Sequence, residues 1–287
     1  MSRLVFGFMW LLRLLPMGAI AATGNAVGAV LFWLIPERRK VTRINLEKCF
    51  PQMPKPERER LARASFRAFA RSLLEHGILW WSRPGRLRRL VRVEGLEHLE
   101  AHAGRPVILL APHFVGLDAG GLRLAMDRTM ASMSSRQKDP VFDRLLFRGR
   151  TRFGGELMTR QDSMRKTVRA IRSGAPFYYL PDMDLGRARA VFVPFFGVPA
   201  ATVTGLSDLA RLTGAAIVPC VTRMLPGGAG YVVRLWPAWR DFPGADAAAD
   251  ARRMLAFIEA RVLETPEQYF WLHKRFKTRP EGEARFY

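Results

Sequence analysis

The chain has 287 residues, enough for one large α/β domain, and its 49% hydrophobic content supports a full core. A formal net charge of +21 favours polyanionic partners: an anionic membrane, an acidic carrier protein or nucleic acid. The sequence contains neither a phosphate-binding glycine loop nor a G-x-S-x-G elbow, which argues against nucleotide enzymes and serine-elbow hydrolases. Its two cysteines, Cys49 and Cys220, lie too far apart for a local metal site and suggest a reducing compartment.

Residues 1–36 predict a membrane anchor. Residues 14–36 carry no charge, which is long enough to span a bilayer with some tilt. A buried or in-plane helix is the alternative, because this stretch is rich in alanine and glycine and only moderately hydropathic. Five basic residues between Arg38 and Lys48 follow it, and this positive-inside bias places residues 37–287, the second domain, in the cytoplasm. Five more arginines between Arg83 and Arg92 suit an anionic membrane surface, unless they form a solvated face.

Strand and helix patterns alternate through the rest of the chain. Helices are predicted over 55–81, 122–130, 140–152, 163–172 and 202–213, and strands over 107–111, 176–180, 216–222 and 231–236. A last helix is predicted from Thr265, where Thr-Pro-Glu-Gln is a capping box with proline at its first position. This alternation predicts an α/β fold with a single, mostly parallel central sheet flanked by helices.

His113 follows the strand over 107–111, at the carboxyl end where open α/β sheets bind ligands. Asp118 can meet its imidazole only if His113 lies in the turn and Asp118 in the first turn of the next helix. A carboxylate on one ring nitrogen leaves the other free to accept a proton, as a general base does. Alone, an H-x4-D pattern more often marks a histidine satisfied by backbone, so neighbouring motifs must decide.

Four blocks in order resemble the late acyltransferases of lipid A biosynthesis, the lauroyl and myristoyl acyltransferases of the glycerolipid acyltransferase superfamily. The blocks are residues 39–51 (RKVTRINLEKCFP), the 113–118 dyad, residues 181–197 (PDMDLGRARAVFVPFFG) followed by 199–202, and residues 271–280 (WLHKRFKTRP). The resemblance covers residues 37–280, and the combination is far more specific than any one block.

This resemblance implies an enzyme of the bacterial inner membrane with its catalytic domain on the cytoplasmic face. It would move a fatty acyl group from acyl carrier protein to a hydroxyl of a phosphorylated lipid A precursor, in lipopolysaccharide biosynthesis. The implied site residues are His113 as base, Asp118 as its orienting partner, Arg136 and Arg160 for phosphates, and Asp182 and Asp184 for sugar hydroxyls or for bracing Arg187. No metal is expected, since His98 and His102 lack a nearby third ligand, and no other cofactor is expected. No nucleic acid is expected as a partner, because none of the nucleic-acid-binding modules with interleaved aromatic residues is present.

Other interpretations stay open at this point. The acceptor could instead be a lysophospholipid or a mannosylated glycolipid, and the donor coenzyme A, because the same dyad would serve either. A basic membrane protein or nucleic-acid binder without catalysis is the interpretation from another class. It predicts that His113 is dispensable, and it leaves the dyad and the uncharged N-terminal segment unexplained.

Overall fold

The computed structural model describes residues 2–159, 162–188 and 190–287, with side chains from residue 6 onward. The strands are β1 (Val91–Glu94), β2 (Val107–Leu110), β3 (Ala131–Ser134), β4 (Glu156–Thr159), β5 (Phe177–Tyr179), β6 (Ala190–Phe195), β7 (Val198–Val203), β8 (Ala216–Met224) and β9 (Tyr231–Leu235). Within the described residues they form a seven-stranded sheet, in the order β1-β9-β8-β2-β5-β3-β4, and a separate antiparallel pair, β6-β7. The strands from β8 to β4 run parallel, while β9 is antiparallel to β8 and β1 is parallel to β9. The predicted mostly parallel sheet is confirmed.

Helices cover the sheet. They are α1 (Ser2–Leu12), α2 (Met17–Leu34), α3 (Pro36–Cys49), α4 (Lys55–Trp81), α5 (Pro84–Leu90), α6 (Glu97–Glu100), α7 (Leu117–Ala125), α8 (Pro140–Thr151), α9 (Met164–Arg172), α10 (Gly205–Thr213) and α11 (Ala247–Glu264), with 3-10 turns at Pro226–Gly228 and Pro266–Gln268. Local sequence signals determine where several of these helices begin or end. Asp139 caps α8 by accepting from the backbone N–H groups of Val141 and Phe142, and Gly214 ends α10 in the left-handed conformation.

The prediction of a last helix from Thr265 is wrong, because only the 3-10 turn Pro266–Gln268 forms there. The side chain of Gln268 turns instead to the end of β8, where it accepts from Met224 N–H at 2.8 Å and donates to Met224 C=O at 2.9 Å. Tyr269 then bridges Phe114 in an antiparallel sense, so the chain runs along the sheet edge.

The predicted helix over 202–213 begins only at Gly205, because residues before it form the β6-β7 hairpin. Its two-residue loop, Phe196 and Gly197, has φ of 49° and 78°. Positive φ at both central positions is the geometry of a tight type I′ turn, which matches the twist of the flanking strands.

The two N-terminal helices pack against α4 rather than standing apart from it. A Cβ added to Gly24 would lie 2.5 Å from Arg71 Cα, and one added to Gly28 would lie 2.5 Å from Arg67 Cα. Only glycine therefore permits this approach of α2 to α4. α1, α2 and the turn between them expose the apolar side chains of Phe8, Trp10, Leu11, Leu14, Leu15, Val30, Trp33 and Leu34. Met17–Leu34 also has the length and composition of a membrane-crossing helix, with mean hydropathy 1.5.

Candidate active site

The carboxyl ends of the parallel strands β2 and β5 assemble the site. β2 is completely buried, and His113 lies in the turn that follows it. The register pairs Leu110 with Tyr179 of β5, and Ala111 N–H donates to Tyr179 C=O at 2.9 Å. The loop after β5 therefore starts beside the turn after β2, which brings Asp182 next to His113.

Asp182, not Asp118, holds His113. The backbone N–H of His113 donates to Asp182 Oδ2 at 2.9 Å, and its ring Nδ1 lies 2.6 Å from Asp182 Oδ1. The expected pairing of His113 with Asp118 is thus wrong, although each lies where predicted, in the turn and in the first turn of α7. Over five residues the backbone turns Asp118 towards α4 and α8, while strand register places Asp182 at the imidazole.

This pairing determines which nitrogen of His113 is free. Nδ1 faces a carboxylate and so carries the proton, while Nε2 has no hydrogen-bond partner among the described residues. The side chain of His113 is 22% exposed and that of Asp182 is fully buried. Burial acts to raise the pKa of Asp182, but the charge and hydrogen bonds of His113 outweigh it and lower that pKa. The pair can therefore accept a proton at Nε2.

Tyr269 completes the surroundings of the Asp182 carboxylate. Its ring is buried beside the ring of Phe114, and burial together with the nearby charge of Asp182 raises the pKa of its hydroxyl. Phe270, the next residue, donates its backbone N–H to His113 C=O at 3.0 Å. The 265–270 segment thus fixes the backbone of the turn that carries the base.

Asp118 belongs to a second cluster, built by α4, α7 and α8. Its Oδ2 lies 3.0 Å from His76 Nε2, and its Oδ1 accepts from Arg150 Nε at 2.7 Å. Arg150 also donates to Ser134 Oγ at 3.2 Å. Burial opposes ionisation of Asp118, but the charges of Arg150 and His76 hold its pKa well below the usual range. Asp118 is therefore an ionised anchor for two basic side chains.

Both ring nitrogens of His76 face acceptors. Nδ1 lies 2.7 Å from Ser72 C=O, and Nε2 faces the Asp118 carboxylate. His76 of α4 and Arg150 of α8 thus both bind the Asp118 carboxylate at this edge of the sheet.

The carboxylate of Asp184 stabilises its own loop and is not available to a ligand. Its carboxylate accepts from Thr278 N–H at 2.6 Å, from Thr278 Oγ1 at 2.8 Å and from Gly186 N–H at 3.0 Å. Because the residue is only 2% exposed, the predicted contact with sugar hydroxyls does not fit its position. Its backbone N–H donates to His273 Nε2 at 3.2 Å. Burial, together with the charges of His113 and Arg275, lowers the pKa of His273 to about 4.

The three arginines predicted at the site, two for phosphates and one to pair with an aspartate, lie in different surroundings. Arg136 is exposed in the loop after β3, at the same edge of the sheet as His113. Arg160 lies outside the described residues. Arg187 is exposed and donates to Arg279 C=O at 2.8 Å, so the predicted ion pair with Asp182 or Asp184 is wrong.

A small cavity with both polar and apolar lining residues adjoins the pair formed by Asp118 and Arg150. Its volume is about 50 Å³. Its apolar lining includes Leu117, Leu122, Ala125, Met130, Met133, Leu157 and Leu180. Its polar lining includes Ser132, Thr151 and Glu156 besides Asp118 and Arg150, and its volume is below the range of about 300–1,000 Å³ usual for a site that encloses a whole ligand.

No local sequence signal marks His76, Arg150 or Tyr269 as site residues. His76 is one polar residue in a long amphipathic helix, and Arg150 is one of many arginines. Their roles depend on contacts with Asp118 and Asp182, which are distant in sequence. Within the described residues, no group of three side chains is arranged to hold a metal ion.

Comparison with known proteins identifies the family. Residues 1–278 match the family model described as bacterial lipid A biosynthesis acyltransferase. The chain is 35% identical over 279 residues to the lipid A biosynthesis lauroyltransferase of Escherichia coli K12, covering 96% of this chain and 91% of that protein. It is 33% identical over 284 residues to the palmitoleoyltransferase of the same bacterium, with 98% and 92% covered. Its identity to the myristoyltransferase is 32% over 252 residues, with 87% and 78% covered.

Among solved structures, the 1-acyl-sn-glycerophosphate acyltransferase PlsC from Thermotoga maritima superposes with a TM-score of 0.40 at 15% identity, covering 84% of this chain and 96% of that one. The assignment depends on the family model and on the sequence relatives, which span nearly the whole chain. The chain belongs to the bacterial lipid A biosynthesis acyltransferases and is an acyltransferase of lipopolysaccharide biosynthesis.

Proposed function

We propose that this acyltransferase moves a fatty acyl group from acyl carrier protein to a hydroxyl of a phosphorylated lipid A precursor, with His113 as general base. The observation that carries the proposal is the unit of Asp182 and His113, whose free Nε2 lies at the carboxyl edge of the sheet. The named relatives, which transfer lauroyl, palmitoleoyl and myristoyl groups, support a fatty acyl donor.

In the proposed reaction, His113 Nε2 takes the proton of the acceptor hydroxyl as its oxygen bonds to the thioester carbonyl carbon. The carbon–sulfur bond then breaks, and the imidazolium returns the proton to the leaving thiolate. Asp182 stabilises the imidazolium through Nδ1. Direct transfer fits better than an acyl-enzyme, because both cysteines are buried and burial raises the pKa of Cys220 to about 12.

Asp118 and Arg150 are proposed to act together on the donor side. Arg150 is 24% exposed and donates to Ser134 Oγ at the carboxyl end of β3, so its guanidinium supplies positive charge at the sheet edge where the thioester is proposed to react. Asp118 is then a positioning residue that holds Arg150, a different role from orienting His113. The net positive charge of the chain suits both an acidic carrier protein and a phosphorylated acceptor.

We propose that α1 and α2 lie in the plane of the inner membrane and anchor the enzyme to its cytoplasmic face. The contacts of Gly24 with Arg71 and of Gly28 with Arg67 show that α2 runs antiparallel to α4. Because α4 carries five arginines from Arg58 to Arg71, a spanning α2 would draw them into hydrocarbon. That costs about 2.5–3.5 kcal/mol for each arginine at the bilayer centre. An in-plane α2 avoids this cost and still buries its apolar outer face in lipid.

The test measures transfer of a labelled acyl chain from acyl carrier protein to a disaccharide lipid. His113→Ala is expected to lower turnover by about 10²–10⁴, the usual contribution of a general base, with circular dichroism confirming the fold. His98→Ala is the matched control, since His98 lies on α6 before β2, away from the site. Near wild-type turnover of His113→Ala would refute the proposed base. Parallel reactions with acyl-coenzyme A, and with a lysophospholipid acceptor, test the donor and the acceptor separately.

A further inference from the structure

A second cavity, of about 730 Å³, opens beside α2 at the end of β8. Four arginines line it: Arg67 and Arg71 from α4, Arg92 from β1 and Arg223 from β8. We name it the arginine groove. The 265–268 segment forms one wall, and its Gln268 C=O accepts from Val115 N–H at 2.9 Å. That segment therefore lies between the groove and the turn that carries His113.

Strand register and helix spacing place these four arginines around the same groove. Arg92 pairs with Val232 across β1 and β9, and Val232 pairs with Arg223 across β9 and β8. Directly paired residues share a face of the sheet, so Arg92 and Arg223 flank Val232 on the same face. Arg67 and Arg71 are one helical turn apart and share a face of α4. Glu94 and Glu267 also line the groove, and Arg223 donates to Glu264 outside it at 3.2 Å, so Arg67 and Arg92 are the arginines of the lining without an ion pair among the described residues.

Arg71 is the buried member of this set. Its side chain is 7% exposed, and its Nε donates to Glu75 Oε1 at 2.6 Å. Its Nη2 has no acceptor among the described residues, although a guanidinium offers five donors. Thr265 Oγ1, in the wall of the same groove, is likewise buried without a partner in the described part of the chain. The groove thus contains buried donors that an incoming anion would satisfy.

The groove also borders the membrane-facing part of the protein. Asn25, near the middle of α2, lines it, while Val30 and Trp33 of the same helix expose apolar surface on the outer face. With α2 in the membrane plane, as proposed above, the groove opens at the depth of lipid headgroups. At that depth phosphate is the abundant anion.

We propose that the arginine groove binds the phosphate of an anionic phospholipid headgroup, at a site separate from the acyl-transfer centre. Guanidinium groups match phosphate oxygens in a bidentate geometry, and several arginines around one phosphate give both affinity and orientation. Free phosphate has the same chemistry, but the bordering apolar face of α2 favours a lipid. The proposal rests on the in-plane placement of α2 and does not depend on the chemistry of His113.

Native mass spectrometry of the full chain, released from detergent with one added probe at a time, tests this site. The probes are phosphatidylglycerol, dioleoylglycerol as a lipid without phosphate, and inorganic phosphate. The test variant is Arg67→Gln/Arg92→Gln, because both residues are exposed, whereas Arg71→Gln would leave the buried Glu75 unpaired. The control variant, Arg60→Gln/Arg105→Gln, removes the same charge at exposed positions outside the groove.

Wild type and the control variant are expected to retain one phosphatidylglycerol, and the test variant to bind it at least about tenfold more weakly. Equal retention by the test and control variants overturns the site. Retention of dioleoylglycerol as strong as that of phosphatidylglycerol overturns the role of phosphate, and retention of inorganic phosphate without lipid overturns the assignment to a lipid. Since no turnover is measured, failure here leaves the proposed role of His113 untouched.

Discussion

Two aspartates of the site, Asp118 and Asp182, have different partners. Asp182 contacts the imidazole of His113, and Asp118 contacts Arg150 and His76. Under the proposed mechanism a substitution at either residue is expected to act for a different reason, so combining each with His113→Ala separates their effects.

Asp182→Asn is expected to lower turnover by about 10² or more, because it removes the charge that stabilises the imidazolium. Added to His113→Ala it should have little further effect, since residues that act as a unit are not additive. Asp118→Asn should instead destabilise the fold, by about 3–5 kcal/mol where a buried ion pair is broken. The measurements are acyl-transfer rates and denaturant unfolding. Strictly additive rate losses in His113→Ala/Asp182→Asn would contradict the unit.

His273 gives the protein a predictable acid sensitivity. Its folded-state pKa is about 4, below the usual 6.5, because burial disfavours the charged ring. Between pH 6.5 and 4 the unfolded chain therefore binds a proton that the folded chain does not, and stability falls as the pH is lowered. The loss from this one group is about 3 kcal/mol at most. Asp182 acts at lower pH, since its lowered pKa contributes stability that is lost only below the unfolded value near 3.8.

Denaturant unfolding of wild type and His273→Gln at pH 7 and pH 5 measures this effect. Glutamine keeps an acceptor for the Asp184 N–H but does not titrate. The variant should lose less stability than wild type between the two pH values. An equal loss in both proteins would mean that other groups carry the acid sensitivity.

The position of His113 could be predicted from the sequence, but its partner could not. A buried apolar run followed by proline is a local signal, and it placed the histidine correctly after β2. The pairing with Asp182 depends on β5 lying next to β2, a contact between residues about 69 apart in the chain. The nearby Asp118 fitted the same chemistry, so only the fold separates the two.

Among the elements, the interface of α2 and α4 is the one most sensitive to side-chain size. Gly24→Ala is expected to destabilise the protein by about 1–3 kcal/mol, because the added methyl group meets the backbone of Arg71. Gly7→Ala in α1 is the matched control, since nothing lies within 4 Å of its added Cβ. There alanine should be neutral or stabilising by about 0.5–1 kcal/mol. Thermal unfolding compares them, and equal melting temperatures would argue against tight docking of α2.

Elements defined by local signals were predicted better than those set by tertiary contacts. The caps of α8 and α10 depend on Asp139 and Gly214, residues at the helix ends themselves. A longer helix is predicted at the 3-10 turn Pro266–Gln268, because the capping box is a local sequence signal. The hydrogen bonds of the Gln268 side chain with the backbone of Met224 in β8 are tertiary contacts that the sequence does not indicate.

For the molecule as a whole, the N-terminal helices are part of the folded body. α4 buries Phe66 and Ile78, and Phe66 packs edge-on against Phe32 of α2. A chain beginning at residue 37 is therefore expected to aggregate or to unfold at a lower temperature, because its α4 exposes apolar surface. Size-exclusion chromatography and thermal unfolding of residues 37–287 in detergent check this. A monodisperse fragment as stable as the full chain would show that α1 and α2 are a dispensable anchor.

The packing of residues 268–287 around the base has a consequence for synthesis. Asn45 donates to the carbonyl groups of Trp271 and His273 and accepts from the Tyr287 hydroxyl. These bonds join α3, near the start of the chain, to residues 271–287. On the ribosome, α1 and α2 emerge first and can reach the membrane while this closing segment is still untranslated. If α1 and α2 bind the membrane as proposed, a nascent chain is expected to reach it before the active site is complete, because residues 268–287 have to be translated first.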